Sequence, residues 1–210
     1  MEKTQRILLF LGTAFLTFMS TMVICDQANA IQFDNEYFKA DTGYWQESYK
    51  ERLKEWDKAP ASNPCVNKGT SIVVHTYMHR LFLCEKNKLV SRHNVAIGRG
   101  GIDKRKEGDL KTPIGTYSLG LPRMSNDFYL FISVGYPTAE QRKLGYTGGA
   151  IGIHGPYFRF LQLWGAFNTL VDWTQGCIAV GTDAEIDQIS SWLARFPNAV
   201  INIFDERTKK

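Results

Sequence analysis

Ile151-Gly152-Ile153-His154-Gly155 and, further on, Trp173-Thr174-Gln175-Gly176-Cys177-Ile178 are the two stretches on which the reading of this chain turns. The first is an apolar run that reads as a strand ending at a histidine. The second sets a cysteine in a tight Thr-x-Gly-Cys turn. A thiol is a strong nucleophile only as thiolate, and a free one is barely ionised near neutral pH. A histidine within hydrogen-bond reach supplies the base and later returns the proton to a leaving group. Gly176 lets the backbone come close to a reacting carbonyl, so amides at the turn can hold a developing oxyanion. These are the parts of acyl transfer through a thioester. Cys177 and His154 are the catalytic candidates, with Gly176 as the oxyanion residue.

Outward from this pair the chain is β-rich. Residues 71–77 carry Ile72, Val73 and Val74 and read as a strand. Residues 81–85 read as its hairpin partner, and 89–97 follow after the polar Lys86-Asn87-Lys88 turn. The glycine-rich, charged stretch 98–109 lacks a strand-then-helix context for cradling phosphate and reads as a flexible surface loop. Residues 115–119 and 128–134 are two further strands, and 138–144 a short helix. Between His154 and Cys177 the chain is rich in aromatics, among them Tyr157, Phe158, Trp164 and Trp173, a wall for a substrate groove or plain core. After Cys177, Thr182 with Glu185 three residues later is a capping box. Ile186, Ile189, Leu193 and Phe196 form the apolar face of the helix it opens, Pro197 ends it, and 199–204 is a closing strand. The expected fold is mostly β with flanking helices, arranged as a two-sheet sandwich.

The ends suggest export. Lys3 and Arg6 precede an uncharged apolar run over 7–24, and Ala28-Asn29-Ala30 offers small residues for cleavage, so 1–30 reads as a signal peptide. The alternative is an uncleaved anchor. Residues 31–69 read as an N-terminal helix, over 44–57, and a linker; 70–205 are the main domain and 206–210 a tail. Of the four cysteines, the leader takes Cys25, and bulky Ile24 before it argues against a lipid anchor there. The odd count left in an exported chain points to one free thiol, Cys177, and a Cys65–Cys84 disulfide, or else to two more thiols.

The formal charge of +4 suits work near an anionic polymer. No long basic run interleaves with aromatics, so nucleic acid is a poor fit. His75, His79 and His93 lack a glycine context and read as surface or half-buried residues. His75 and His79 stand four apart, but in a strand-turn stretch that would not present both on one face, so no metal site is expected. No cofactor is called for.

His154-Gly155, the gap, and Thr174-x-Gly-Cys177-Ile178, preceded by Lys111-Thr112-Pro113-Ile114-Gly115-Thr116-Tyr117, resemble the L,D-transpeptidase (YkuD-like) catalytic domain of bacterial cell-wall enzymes. Ser133-Val134-Gly135-Tyr136-Pro137 and Asp172-Trp173-Thr174 through Val180 are similar to its YafK-like branch. The resemblance covers residues 71–204 and implies the family's β-sandwich. It implies that Cys177 attacks the donor stem peptide of peptidoglycan between the L-centre of a diamino acid and the terminal D-residue, and that His154 moves the proton. Amides around Gly176 and Cys177 would hold the oxyanion, and Gly155 and Thr174 would shape the turns. One departure stands out: Ala179 occupies a position where many members carry arginine, and Arg159 and Arg195 are the candidates to replace that group. Three readings follow. The first is an exported transpeptidase of the periplasm or cell envelope, acting on stem peptides or joining a wall-attached protein. The second is a hydrolase using the same pair, a carboxypeptidase or endopeptidase. The third is a wall-binding protein without catalysis.

Overall fold

The computed structural model describes residues 62–157 and 168–205. The expected leader, the helix over 44–57, Arg159, the middle of the aromatic gap and the tail lie outside the described residues. The described residues form eight strands: β1 Ser71–His75, β2 Arg80–Glu85, β3 Lys88–Ala96, β4 Gly115–Ser125, β5 Tyr129–Val134, β6 Gly152–His154, β7 Ile178–Val180 and β8 Val200–Phe204. Two helices accompany them, α1 Ala139–Lys143 and α2 Asp183–Arg195. Among the described residues no helix is long and apolar enough to cross a membrane.

The strands form a closed barrel in the order β1-β2-β3-β7-β6-β5-β4-β8, which corrects the expected sandwich. Two strands turn what would be two sheets into one. β3 pairs with β2 along most of its length and with β7 at Val95 and Ala96. β4 pairs with β8 over Gly115–Ser118 and with β5 from Leu119 onward, with a register shift between Leu119 and Pro122. β8 lies parallel to β1, with Ser71 opposite Val200, and so joins the first strand to the fourth. Closure removes the open edges that a sandwich leaves.

Side-chain alternation fills the interior. Ile72, Val74, Leu81, Leu83, Ile132, Ile153, Ile178, Ile201 and Ile203 are buried in one core. Burying a side chain of this kind is worth about 1.5–3 kcal/mol. The outer face of β1 and β2 is covered as well, by a second cluster of Cys65, Val73, Phe82 and Cys84. Cys65 and Cys84 are disulfide-bonded across 19 residues, which ties the 62–69 turn to β2. Replacing both with serine is expected to lower stability by about 3 kcal/mol through loop-closure entropy in the unfolded chain. An unshifted midpoint in denaturant titration would rule that out.

The helices follow their caps. Thr138 and Gln141 form a reciprocal capping box at α1, which the sequence reading had as a helix without naming the cap. At α2, Thr182 Oγ1 accepts from the Glu185 amide as expected. The Glu185 carboxylate, however, accepts from the Thr182 hydroxyl rather than from its backbone. Trp192 joins Ile186, Ile189 and Leu193 on the buried face, with Phe196 only partly buried against the core. The buried face is thus wider than the expected stripe of Ile186, Ile189, Leu193 and Phe196.

Candidate active site

Cys177 lies just before β7, and His154 ends β6. The two strands are parallel neighbours, with Ile153 opposite Ile178 and His154 opposite Ala179. This register puts the cysteine level with the start of β6. Its Sγ is 3.4 Å from the Ala150 carbonyl oxygen, and the Gly152 amide donates to the sulfur. Cys177 is a free, partly exposed thiol.

His154 is only 1% exposed. Its ring stacks on Phe128 at 4.0 Å between centroids, lies over Phe131 at 6.2 Å and meets the edge of Trp173 at 5.6 Å. Nδ1 donates to the Gly155 carbonyl at 2.7 Å when it carries the ring proton, and that assignment leaves the Nε2 lone pair as the proton acceptor. Burial pushes the imidazole pKa down to about 4, against a smaller opposing pull from the Gly155 carbonyl. Burial likewise raises the Cys177 thiol, offset in part by the Gly152 amide and the charge of Lys104. The resting pair is therefore thiol plus neutral imidazole, not thiolate plus imidazolium.

That order of proton affinities has a consequence. Alkylation of Cys177 by iodoacetamide is expected to climb only in the alkaline range. A reactivity plateau near pH 6, the mark of a preformed ion pair, would contradict it.

The turn before the cysteine is built by hydroxyls. Thr174 Oγ1 accepts from the Gly176 amide at 3.1 Å and donates to the Cys177 carbonyl at 2.7 Å. The Gly176 N–H is thus already engaged. Thr112, fully buried, donates from Oγ1 to the Gly176 carbonyl at 3.0 Å and accepts from the Gly98 amide at 2.8 Å. In a trans peptide the C=O and the following N–H point opposite ways. Anchoring the Gly176 carbonyl on Thr112 therefore fixes the direction of the Cys177 N–H. The sequence reading used Thr112 only as part of the Thr-Pro-x-Gly stretch and missed this role. Gly155 is required by packing: a Cβ there would lie 2.7 Å from the Phe128 carbonyl oxygen.

The approach to the turn is clamped by Asp172, which the sequence reading also missed. Its Oδ1 accepts from the Ile97 amide at 2.9 Å, and its Oδ2 lies 3.0 Å from His79 Nε2. The other two histidines are buried, against the expectation of surface or half-buried positions. His75 packs edge-on to Phe204, and His93 reaches Ser91 and Glu185. Among the described residues no group of three or more His, Cys, Asp or Glu side chains is placed to hold a metal.

A cavity of about 540 Å³ opens beside the thiol. Lys104, Glu107 and Leu110 form part of its wall, and Ala150, Gln175 and Cys177 line it too. The stretch expected to be a flexible surface loop forms this part of the wall, and it is folded around Asp109. That carboxylate accepts from the amides of Arg105, Lys106 and Lys111 and from the Lys104 ammonium. Burial opposes its ionisation, but the Lys104 ammonium and these amides hold its pKa well below the carboxylate range. Arg195 is not at the site: it bonds Glu85 at 2.8 Å, beside Trp192 on α2. Ala179 is fully buried between Ala96 and His154.

Comparison with known proteins agrees with this architecture. The model of the L,D-transpeptidase catalytic domain (YkuD) matches residues 69–201. YafK of Escherichia coli, by its name a candidate L,D-transpeptidase, is 34% identical over 74 residues, covering 34% of this chain and 30% of YafK. The crystal structure of the helical cell shape determining protein Pgp2 from Campylobacter jejuni aligns with a TM-score of 0.52 at 20% identity, over 77% of this chain and 55% of that one. The chain thus spans about half the length of Pgp2 and less of YafK, and the likeness to Pgp2 is one of fold. On the match over 69–201, the chain belongs to the L,D-transpeptidase catalytic domain family.

Proposed function

We propose that the chain is an exported cysteine L,D-transpeptidase that acts on the stem peptides of peptidoglycan. The observation that carries this is the pairing of a free thiol that lines a cavity with a neutral, Nδ1-anchored histidine on the adjacent parallel strand. Cys177 Sγ attacks the carbonyl at the L-centre of the diamino acid while His154 Nε2 takes the thiol proton. The carbonyl oxygen becomes an oxyanion, held by the Cys177 N–H. Gly176 contributes through its backbone conformation, since its own amide serves Thr174. Collapse breaks the amide bond, and His154 returns the proton to the departing amine of the terminal D-residue. An acceptor amine then resolves the thioester. The disulfide fits an oxidising compartment and so supports export to the periplasm or cell envelope.

The test is incubation of the purified protein with tetrapeptide muropeptides and a labelled D-amino acid, read by mass spectrometry beside Cys177→Ala. Label incorporation or dimer formation that disappears in the variant supports the transpeptidase. Loss of the terminal residue without label makes water the acceptor and the protein a carboxypeptidase. No Cys177-dependent product from muropeptides or from sacculi with attached proteins sinks both readings and leaves a wall-binding role.

A further inference from the structure

We propose that Lys104 is the site that receives the free carboxylate of the terminal D-residue of the donor peptide. The inference rests on the transpeptidase reading for the identity of the ligand, but on geometry for the site itself.

Lys104 is 4% exposed, a degree of burial that a lysine rarely reaches without a partner or a function. Its ammonium has three N–H donors. One goes to Asp109 at 2.8 Å and one to the Lys106 carbonyl at 2.9 Å. Among the described residues the third has no acceptor. Lys104 lines the cavity that contains Cys177, whereas Asp109 does not. The Asp109 counter-ion is thus shared among four donors, and Lys104 borders the same space as the thiol. Among the described residues no other cationic side chain lines that cavity. Glu107 lines it too, but is exposed, where solvent and salt weaken its repulsion.

The position is held firmly. The Lys104 amide donates to the Thr112 carbonyl at 3.4 Å, and the Lys104 carbonyl accepts from the Tyr136 hydroxyl at 3.1 Å. The same loop is pinned at a second point, where the Glu107 amide donates to Thr147 Oγ1. A group held this way loses little freedom on meeting its ligand. The terminal carboxylate sits one carbon from the scissile nitrogen, so a cation serving it must lie near the nucleophile. Lys104 does, since it and Cys177 line one cavity.

The experiment compares alkylation of Cys177 by iodoacetate, which carries a carboxylate, with that by iodoacetamide, which does not. Both reagents see the same thiolate, so the ratio of rates cancels any change in thiol pKa. A charge-assisted contact predicts a ratio about tenfold above that of free mercaptoethanol. The ratio is expected to fall to the mercaptoethanol value in Lys104→Gln and to be kept in Lys104→Arg. A wild-type ratio no higher than that of mercaptoethanol overturns the proposal and needs no variant to fold. So does a ratio unchanged in a folded Lys104→Gln. With tetrapeptides, the wild type is expected to prefer the free acid over the terminal amide about tenfold, through KM, and Lys104→Gln to lose that preference. If no tetrapeptide reacts but the alkylation preference holds, the transpeptidase reading fails and the carboxylate site stands. If tetrapeptides react without preference for the acid, the carboxylate site fails alone.

Discussion

His154→Gln is expected to lower the rate of acyl transfer about a thousandfold at neutral pH, within the range general acid–base catalysis supplies. Glutamine fills much of the same space between Phe128 and Trp173 but cannot take the thiol proton. Burial has set the Cys177 thiol high and the imidazole low. Nearly all thiolate at neutral pH must then be made by transfer to His154 during attack. The deficit should shrink as pH rises and the thiol ionises unaided. It should not vanish, because the leaving amine still lacks its proton donor. A deficit independent of pH would mean that His154 only positions the loop.

The same substitution has a second readout. The unfolded chain holds a histidine of pKa 6.5, the folded one about 4. Between those values the unfolded state binds more protons, so stability rises with pH. The contribution is fully present above pH 6.5 and is lost as pH falls toward 4, amounting to about 3 kcal/mol. In His154→Gln that part of the acid sensitivity should be missing. Equal slopes in the two proteins over this window would contradict the buried neutral imidazole.

The strands were legible because their information is local. The fully buried Ile72, Val73 and Val74 announce β1, and Lys86 and Asn87 both take positive φ to turn the β2–β3 hairpin. Closure of the barrel was not legible, because it depends on β8 pairing with β1 and β4 across most of the chain and on β3 and β4 each serving two partners. No periodicity records a partner that lies over a hundred residues away. The site divides the same way. His154 and Cys177 carry glycine-marked motifs, whereas Phe128 reaches the imidazole from the β4–β5 turn with no pattern of its own. The 98–109 stretch reads as a flexible surface loop on its glycines and charges, while its internal bonding around Asp109 leaves no such mark. Gly98 and Gly100 are there because the backbone of Leu110 passes within 2.3–3.1 Å of where a Cβ would stand. The carboxylate that folds the loop satisfies amides whose spacing matches no standard turn signal.

Gly176→Ala is expected to damage both the fold and catalysis. Gly176 has φ +125°, a region that side-chain-bearing residues rarely adopt. A Cβ would also stand 2.5 Å from the Lys111 carbonyl oxygen and 3.0 Å from Ile151 Cδ1. The first neighbour is backbone, and it cannot retreat, because Thr112 beside it holds both the Gly98 amide and the Gly176 carbonyl. Backbone strain of this kind costs about 1–3 kcal/mol before the clash is counted. The larger effect should be catalytic. Turning the Gly176–Cys177 peptide moves the Cys177 N–H off the oxyanion, and loss of one such donor lowers kcat about 100- to 1,000-fold. Thr112→Val makes the same argument without the clash. It leaves the Gly176 carbonyl and the Gly98 amide without their shared partner, at a cost of about 1–3 kcal/mol each, and frees the peptide plane to rotate. Alkylation separates the two causes. Iodoacetamide reacts by displacement at carbon and forms no oxyanion. Thr112→Val should therefore alkylate Cys177 at the wild-type rate while its acyl transfer falls. Parallel losses in both reactions would mean that the turn has collapsed around the thiol, and that the Cys177 N–H is not what the threonine holds in place.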